Sequence, residues 1–267
     1  MKDNDQINND QYDFRFGGIG RLVGQKEWDL LKSSHVAVVG IGGVGSWVCE
    51  SLARSGVGKI TMIDLDDLCQ SNINRQVHAL SSSVGQMKTE VMKKRILEIN
   101  PQCEIQEIQS FYSKKNSNEI LSHRYDYIID CIDSFEEKIQ LILDCKEHDI
   151  PLIVCGGAGG RVDPTRIKID DLSKSYNDKL LQRIRKKLRQ DHGFSRNRNF
   201  KVPCVFSYER AVYPDPAGGT CHKPIQGEST RLDCQTGFGS ASFVTGSFAF
   251  FAVSYVVSKI TKNPIFN

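Results

Sequence analysis

No two cysteines in these 267 residues stand at C-x-x-C spacing, although there are nine of them. That absence argues against a structural zinc ribbon. An N-terminal apolar run is also missing. Met1 to Asp13 is polar and rich in Asn and Asp, so no secretory signal is predicted and the segment reads as a frayed tail. Without a secretory context the scattered cysteines are expected to be reduced thiols of a cytoplasmic protein. Charge of one sign is scarcely in excess, at a formal net +3. With 39% hydrophobic and 25% charged residues, the composition excludes only disorder and collagen-like chains. The length allows one large or two small domains.

The informative stretch runs from His35 to Asp66. Val36-Ala37-Val38-Val39 is a short apolar run of the kind that forms a buried parallel strand. Gly40-Ile41-Gly42-Gly43-Val44-Gly45 follows directly, then a helical pattern from Ser46 to Arg54, then a second strand pattern from Ile60 to Ile63 ending at Asp64. Strand, glycine turn, helix, strand and acid in this order make a mononucleotide-binding unit. Gly40, Gly42 and Gly43 let a phosphate approach the backbone, Gly45 lets helix and strand pack closely, and Asp64 stands where ribose hydroxyls are bound. NAD and ATP both fit such a unit.

Alternating strand and helix patterns continue to Ile169, which predicts a Rossmann-like α/β fold: a doubly wound, mostly parallel sheet with helices on both faces. Phe14 to Arg21 reads as a glycine-rich capping loop carrying Arg15 and Arg21, and Gln25 to Lys32 as a short helix. After Asp64 a polar segment holds Asp66, Asn72 and Arg75, the last two three residues apart and so on one face of a helical turn. A long helix is expected from about Val84 to Asn100, with Lys88 in its first turns, where a cation suits a bound phosphate better than it suits the dipole. Asp133 follows the strand pattern Tyr125–Asp130, and a carboxylate there suits Mg²⁺ held against phosphates. The alternative roles are helix capping for Asp133 and solvated surface for Arg75 and Lys88.

Gly40 to Gly45, Asp64, Asp66, Asn72, Arg75-Gln76, Lys88 and Asp133 together resemble the adenylation site of the ubiquitin-activating-enzyme-like (HesA/MoeB/ThiF) superfamily. The resemblance is greatest, and almost end to end, with the branch that dehydrates threonylcarbamoyladenosine in tRNA. It rests on Arg15-Phe16-Gly17-Gly18, Gly40 to Trp47, Asn74-Arg75-Gln76-Val77-His78-Ala79-Leu80, Gly156-Gly157-Ala158-Gly159-Gly160 and Asp233-Cys234-Gln235-Thr236-Gly237-Phe238-Gly239. The resemblance implies ATP and Mg²⁺ as cofactors. It casts Arg75, Lys88 and Asp133 as catalytic residues, Asp133 as the metal ligand, and the glycines with Asp64, Asp66 and Asn72 as the ATP site. The reaction it implies is adenylation of a side-chain carboxylate on tRNA, followed by ring closure and loss of AMP. Two departures stand out. The C-x-x-C zinc ligands of protein-activating members are missing, and Gly18 replaces the second arginine of their N-terminal motif. Cys234 lies where sulfur-handling relatives keep a reactive cysteine, but ring closure needs no protein thiol, so an inert cysteine is expected and a reactive thiol with sulfur-relay partners is the alternative. Cys204 reads as a strand residue.

Past Arg166 the expected C-terminal extension carries antiparallel strands and an apolar helix. The divisions read as an arm at 1–34, an ATP-binding core at 35–165 and a C-terminal part at 166–267, in one continuous domain. Lys179 to Lys201 is strongly basic, so Arg183, Arg185, Lys186, Lys187 and Arg189 are the expected tRNA contacts, with His192 to Asn199 a mobile loop. Gly237 to Ser258 is uncharged and long enough to span a bilayer. Its recurrent Gly, Ser and Thr favour a helix buried beside a homodimer interface over membrane contact. The rival functional readings are a protein- or sulfur-carrier-activating adenylyltransferase and an NAD-dependent oxidoreductase. Hydride transfer has no use for Asn72, Arg75, Lys88 and Asp133.

Overall fold

The computed structural model describes residues 2–215, 217–222 and 239–262, with side chains described from residue 11 onward. Seven strands form its main sheet: β1 His35–Val39, β2 Lys59–Ile63, β3 Glu104–Ile108, β4 Tyr127–Asp130, β5 Leu152–Cys155, β6 Ile167–Asp171 and β7 Pro203–Ser207. Their order is β3-β2-β1-β4-β5-β7-β6. Every neighbouring pair is parallel except β6 and β7. A two-stranded ribbon, β8 Tyr213–Pro214 with β9 Thr220–Cys221, lies outside it.

The helices are α1 Lys2–Val23, α2 Gln25–Ser33, α3 Gly45–Arg54, α4 Lys88–Ile99, α5 Ser117–Leu121, α6 Phe135–Glu147, α7 Lys179–Asp191 and α8 Ser242–Thr261. The apolar runs of the central strands are buried on both faces because the chain covers both. Val36 and Val38 join a core with Leu52, Met92 and Phe248, whereas Ala37 and Val39 join a second core with Ile142, Ile184 and Phe206. The Rossmann-like expectation holds, including the antiparallel C-terminal strand and the apolar helix.

Helix α8 is long and apolar enough to cross a membrane by length and composition. In the fold it packs on α2, α3 and the β5–β7 end of the sheet, and Val244, Phe248, Ala252 and Val256 are fully buried in the first core. Its apolar composition therefore serves the interior. Gly237 and Phe238, the start of the expected segment, lie outside the described residues.

Three local expectations need correction. The N-terminal segment is helical rather than a tail and a loop. Tyr12 stacks on Trp28 with ring centroids 5.5 Å apart and donates a hydrogen bond to the Gly56 carbonyl, and Phe16 packs edge-on against Tyr12. Gly20 allows this close approach, since a Cβ there would lie 2.9 Å from the Trp28 ring. Helix α4 begins at Lys88 rather than near Val84, because Gly85 takes a left-handed φ of 83° and the preceding residues form turns. The 192–199 segment is pinned: Phe194 and Phe200 are buried, pack edge-to-face at 4.9 Å, and take Lys146 and Arg189 over their rings.

One polar pair is sealed in the second core. Lys138 Nζ lies 2.7 Å from Asp130 Oδ1, and both side chains are 0% exposed. Burial raises the Asp130 carboxyl above the ordinary range, opposed by the Lys138 ammonium and the Ile132 N–H. Removing one member of such a pair strands a buried charge. Lys138→Met is expected to cost about 3–5 kcal/mol in urea unfolding. The double variant Asp130→Asn/Lys138→Met should recover much of that loss. Equal stability of wild type and the single variant would show that the pair is energetically idle.

Candidate active site

The strand order reverses between β1 and β4, and the crevice beyond the carboxyl ends of those strands is where open α/β sheets bind ligands. The loop from Gly40 to Val44 leaves β1 there and enters α3. Gly40 takes φ 87°. A Cβ on Gly45 would overlap the Gly40 carbonyl oxygen, so only glycine closes this turn. In the first turn of α3 the Ser46 and Val48 N–H groups bond the Gly42 and Val44 carbonyls, each at 3.0 Å. No side chain caps the helix, and the N–H groups of Gly45 and Trp47 have no backbone partner among the described residues. They form an anion site at the mouth of the crevice.

Asp64 fixes the loop from the side. Its Oδ2 accepts from the Ile41 N–H at 2.6 Å and its Oδ1 from the Asp66 N–H at 2.9 Å. Lys88, the first residue of α4, brings Nζ to 2.6 Å from Asp66 Oδ2 and 4.0 Å from Asp64 Oδ1. Burial pushes the Asp64 carboxyl above its ordinary range, and the Lys88 ammonium and the two N–H groups oppose the shift. At 4.0 Å and an effective dielectric of about 20, the Asp64–Lys88 attraction is roughly 4 kcal/mol before desolvation. The cation at this helix start is thus explained by two carboxylates even before any phosphate binds.

The segment carrying Asn72 and Arg75 is a 3₁₀ turn, Gln70–Asn72, continued to Gln76 by N–H bonds of Arg75 and Gln76 to the Asn72 carbonyl. The helical turn expected between Asn72 and Arg75 is present, and each side chain is engaged within it. Asn72 is buried and its Oδ1 accepts from the Cys69 N–H at 3.1 Å, shaping the turn. Arg75 folds its guanidinium over the turn, with Nη1 2.7 Å from the Ser71 carbonyl and 3.1 Å from Asn74 Oδ1. Asp133 stands past the end of β4, exposed, with no hydrogen bond or ion pair among the described residues. Ser134, not Asp133, is the N-cap of α6.

Sequence reasoning missed the buttress behind Arg75. Trp47 Nε1 on α3 and Thr245 Oγ1 on α8 each donate to the Arg75 carbonyl at 3.0 Å, and Asn74 Nδ2 donates to the Ser240 carbonyl at 2.8 Å. Residues about 170 positions apart meet here, and local pattern carries no signal for that. Burial and the nearby Lys88 and Arg95 lower His78 to about 3, so its ring is neutral beneath the site.

The basic helix α7 divides in two. Lys179, Arg183 and Lys186 are exposed. Arg185 instead turns inward to the Ser175 carbonyl and hydroxyl, and burial lowers its pKa. Lys187 pairs with Asp191 at 2.7 Å, and Arg189 lies over the Phe200 ring. Cys204 is fully buried in β7 and burial holds its thiol well above the ordinary range. Cys234 lies outside the described residues.

A parallel sheet with a glycine loop at its switch point, an acid–lysine pair beside it and the Arg75 and Asp133 side chains at the rim defines a nucleotide-binding α/β protein. A model of the ThiF family matches residues 19–265, and the chain belongs to that family. A tRNA threonylcarbamoyladenosine dehydratase of Haemophilus influenzae is 47% identical over 255 residues, covering 95% of each chain. The structure of Escherichia coli tRNA N6-threonylcarbamoyladenosine dehydratase in complex with ATP superposes with a TM-score of 0.84 at 43% identity, over 95% of this chain and 96% of that one. The same E. coli protein in complex with AMP gives 0.85 at 42% identity, over 97% and 98%.

The buttress makes a testable claim about positioning. Thr245→Val removes one of the two donors to the Arg75 carbonyl without changing shape. A neutral hydrogen bond is worth about 1 kcal/mol, so ATP affinity should fall about 5-fold by calorimetric titration. Unchanged affinity would mean that Arg75 is held without α8.

Proposed function

We propose that this protein is an ATP-dependent, AMP-forming dehydratase of threonylcarbamoyladenosine in tRNA. The observation that carries the reading is the convergence of the Gly40–Gly45 loop, the Asp64–Lys88–Asp66 cluster, Arg75 and Asp133 on one crevice, in a chain alike over nearly its whole length to such dehydratases. Free thiols at all eight described cysteines suit a cytoplasmic setting.

In this reading the carboxylate of the threonylcarbamoyl side chain attacks the α-phosphorus of ATP. The bond to pyrophosphate breaks, and a mixed acyl–AMP anhydride forms. A nitrogen or oxygen of the same modification then attacks the acyl carbon, releases AMP and loses a proton. One oxygen of the original carboxylate leaves with AMP, so the net change in the tRNA is loss of water. The protein positions the groups and offsets charge. The glycine loop and the α3 N-terminus receive phosphate. Asp64, already committed to the loop, keeps lone pairs for the ribose, and the half-exposed Asp66 stands beside it. Arg75 and Lys88 swing from their present carbonyl and carboxylate partners toward the triphosphate. The Asp133 carboxylate, without a hydrogen-bond or ion-pair partner among the described residues, fits Mg²⁺, which takes one or two carboxylates together with phosphate oxygens and, when bound, neutralises phosphate charge.

A homodimer completes the reading. Arg15 bonds the Ile99 carbonyl, at the far end of α4 from Lys88. The Gly56 contact likewise places α1 beyond the C-terminal end of α3, a helix of 10 residues and so about 15 Å long. Neither Arg15 nor Arg21 therefore serves the crevice of its own chain, whereas a second subunit brings such arginines to it. Phe14 is 93% exposed on α1, and Phe243 and Phe250 on α8 are 56% and 50% exposed, which supplies apolar surface for that contact.

Release of AMP and pyrophosphate should depend on tRNA carrying threonylcarbamoyladenosine, and Asp133→Ala should abolish it while the protein stays folded. ATP turnover indifferent to that tRNA would overturn the reading. Arg183→Glu/Lys186→Glu should weaken tRNA binding and flatten its salt dependence without changing ATP affinity. Sedimentation at micromolar concentration without detergent should show a dimer; a monomer would remove the role given to Arg15 and Arg21.

A further inference from the structure

A second concavity lies on the same edge of the sheet. It is a cleft of about 510 Å³ whose walls include Asp163, Arg166, Asn177, Tyr208, Arg210 and His222. Tyr208 follows the carboxyl end of β7, and Arg166 precedes β6, which runs antiparallel beside it. From β1 to β7 the sheet crosses three strand spacings, or about 14 Å at 4.8 Å each. The cleft thus opens beside the nucleotide crevice, in the direction of α7.

Its walls are fixed from within. The buried Arg161 guanidinium donates to the carbonyls of Glu209 and Asn177, and Asn177 Nδ2 donates to the Tyr208 carbonyl at 2.6 Å. Both acids at the cleft are already engaged. Glu209 Oε2 accepts from the N–H groups of Val162 and Asp163, each at 3.1 Å. Asp163 accepts from Thr165 and from Arg166 Nε, the latter at 3.0 Å. Arg210 is exposed and has no hydrogen-bond or ion-pair partner among the described residues. His222 is exposed, and its Nδ1 lies 3.2 Å from the Ala211 carbonyl. The ring of Tyr208, 38% exposed, lies 6.4 Å from that of Tyr176, 46% exposed, at an interplanar angle of 31°. The Tyr208 ring, beside a Tyr176 ring that carries Lys168 Nζ at 5.3 Å, with Arg210 uncommitted and the Arg166 guanidinium held, among the described residues, only by the partly exposed Asp163, makes a stacking platform with a phosphate rim, the combination that holds single-stranded nucleic acid. The volume falls within the range of small-ligand clefts.

We propose that this cleft holds a nucleotide of the single-stranded anticodon loop about four nucleotides from the modified adenosine, its base against Tyr208 and its phosphate between Arg210 and Arg166. The proposal rests on the tRNA-dehydratase reading above. A separation of about 14 Å is a few nucleotides along a strand whose stacked rise is about 3.4 Å. The bound loop then runs from the ATP crevice across this cleft to the exposed cations of α7.

The test measures binding of an anticodon stem-loop to the full-length protein by fluorescence anisotropy over a salt series. Stacking on an aromatic ring implies a loss of about 5- to 100-fold in stem-loop affinity for Tyr208→Ala, with Tyr208→Phe close to wild type. Arg210→Ala should reduce the magnitude of the salt slope by about 1. ATP affinity should not change in any of them. Wild-type stem-loop affinity and slope in both Tyr208→Ala and Arg210→Ala would overturn the proposal. So would an equal loss in Tyr208→Phe, or AMP competing for the cleft as well as the stem-loop does. Because binding is read without turnover, a wild-type protein that binds the stem-loop through Tyr208 yet forms no AMP on modified tRNA would refute the dehydratase reading alone.

Discussion

A buried carboxylate at the end of β2 holds the nucleotide crevice in shape. Asp64 ties the glycine loop after β1 to the segment after β2 through two N–H bonds, and it draws Lys88 to the start of α4. Three pieces of backbone from two successive βα units thereby converge on one side chain. The arrangement leaves a negative centre desolvated, and Lys88 and the N–H groups oppose that cost. The site is consequently poised: a triphosphate brings its own negative charge and competes with Asp66 and Asp64 for Lys88. Exchange of partners by an ammonium already in place requires less reorganisation than recruitment of one from solvent.

The same economy of preformed contacts recurs at Arg75. Its carbonyl is fixed by Trp47 and Thr245, while its guanidinium rests on a carbonyl and an amide oxygen of its own turn. Backbone and side chain are thus held by different partners. Helix α8 supplies one of the backbone donors, so the apolar helix supports the site as well as filling the core.

Much of this was legible in the sequence, and for a physical reason. The central strands are buried on both faces and therefore read as continuous apolar runs, and the glycine turn is dictated by overlaps that only glycine avoids. The β3 bounds, Glu104–Ile108, and the bounds of α2, α3, α6 and α7 follow the local pattern to within a residue or two. What escaped was non-local. Gly17, Gly18 and Gly20 signal a loop by propensity, yet packing of Tyr12 and Phe16 against Trp28 makes the segment a helix. The start of α4 was displaced by the left-handed Gly85 and by the pairing of Met87 with Asp67. Phe194 and Phe200 pin a segment whose charge suggested mobility.

The basic stretch shows how a count of charges overstates a surface. Leu181, Ile184 and Leu188 are fully buried, so α7 has a committed inner face. That rotation turns Arg185 to Ser175, leaves Arg189 on Phe200 and keeps Lys179, Arg183 and Lys186 exposed at i, i+4 and i+7, Lys179 over the Tyr213 ring and Arg183 over the Phe135 ring. Three cations against a single strand give a salt slope of about −2, since each contributes about −0.7. Such a slope is a sequence-blind attraction and positions RNA without selecting it. In the proposed reading, selection of one modified adenosine belongs nearer the sheet edge, where the proposed cleft offers an aromatic ring and fixed carbonyls. The crevice at β1 and β4 and the cleft beside β7 share that edge, and only the parallel sheet, by aligning its carboxyl ends, sets both within reach of one anticodon loop.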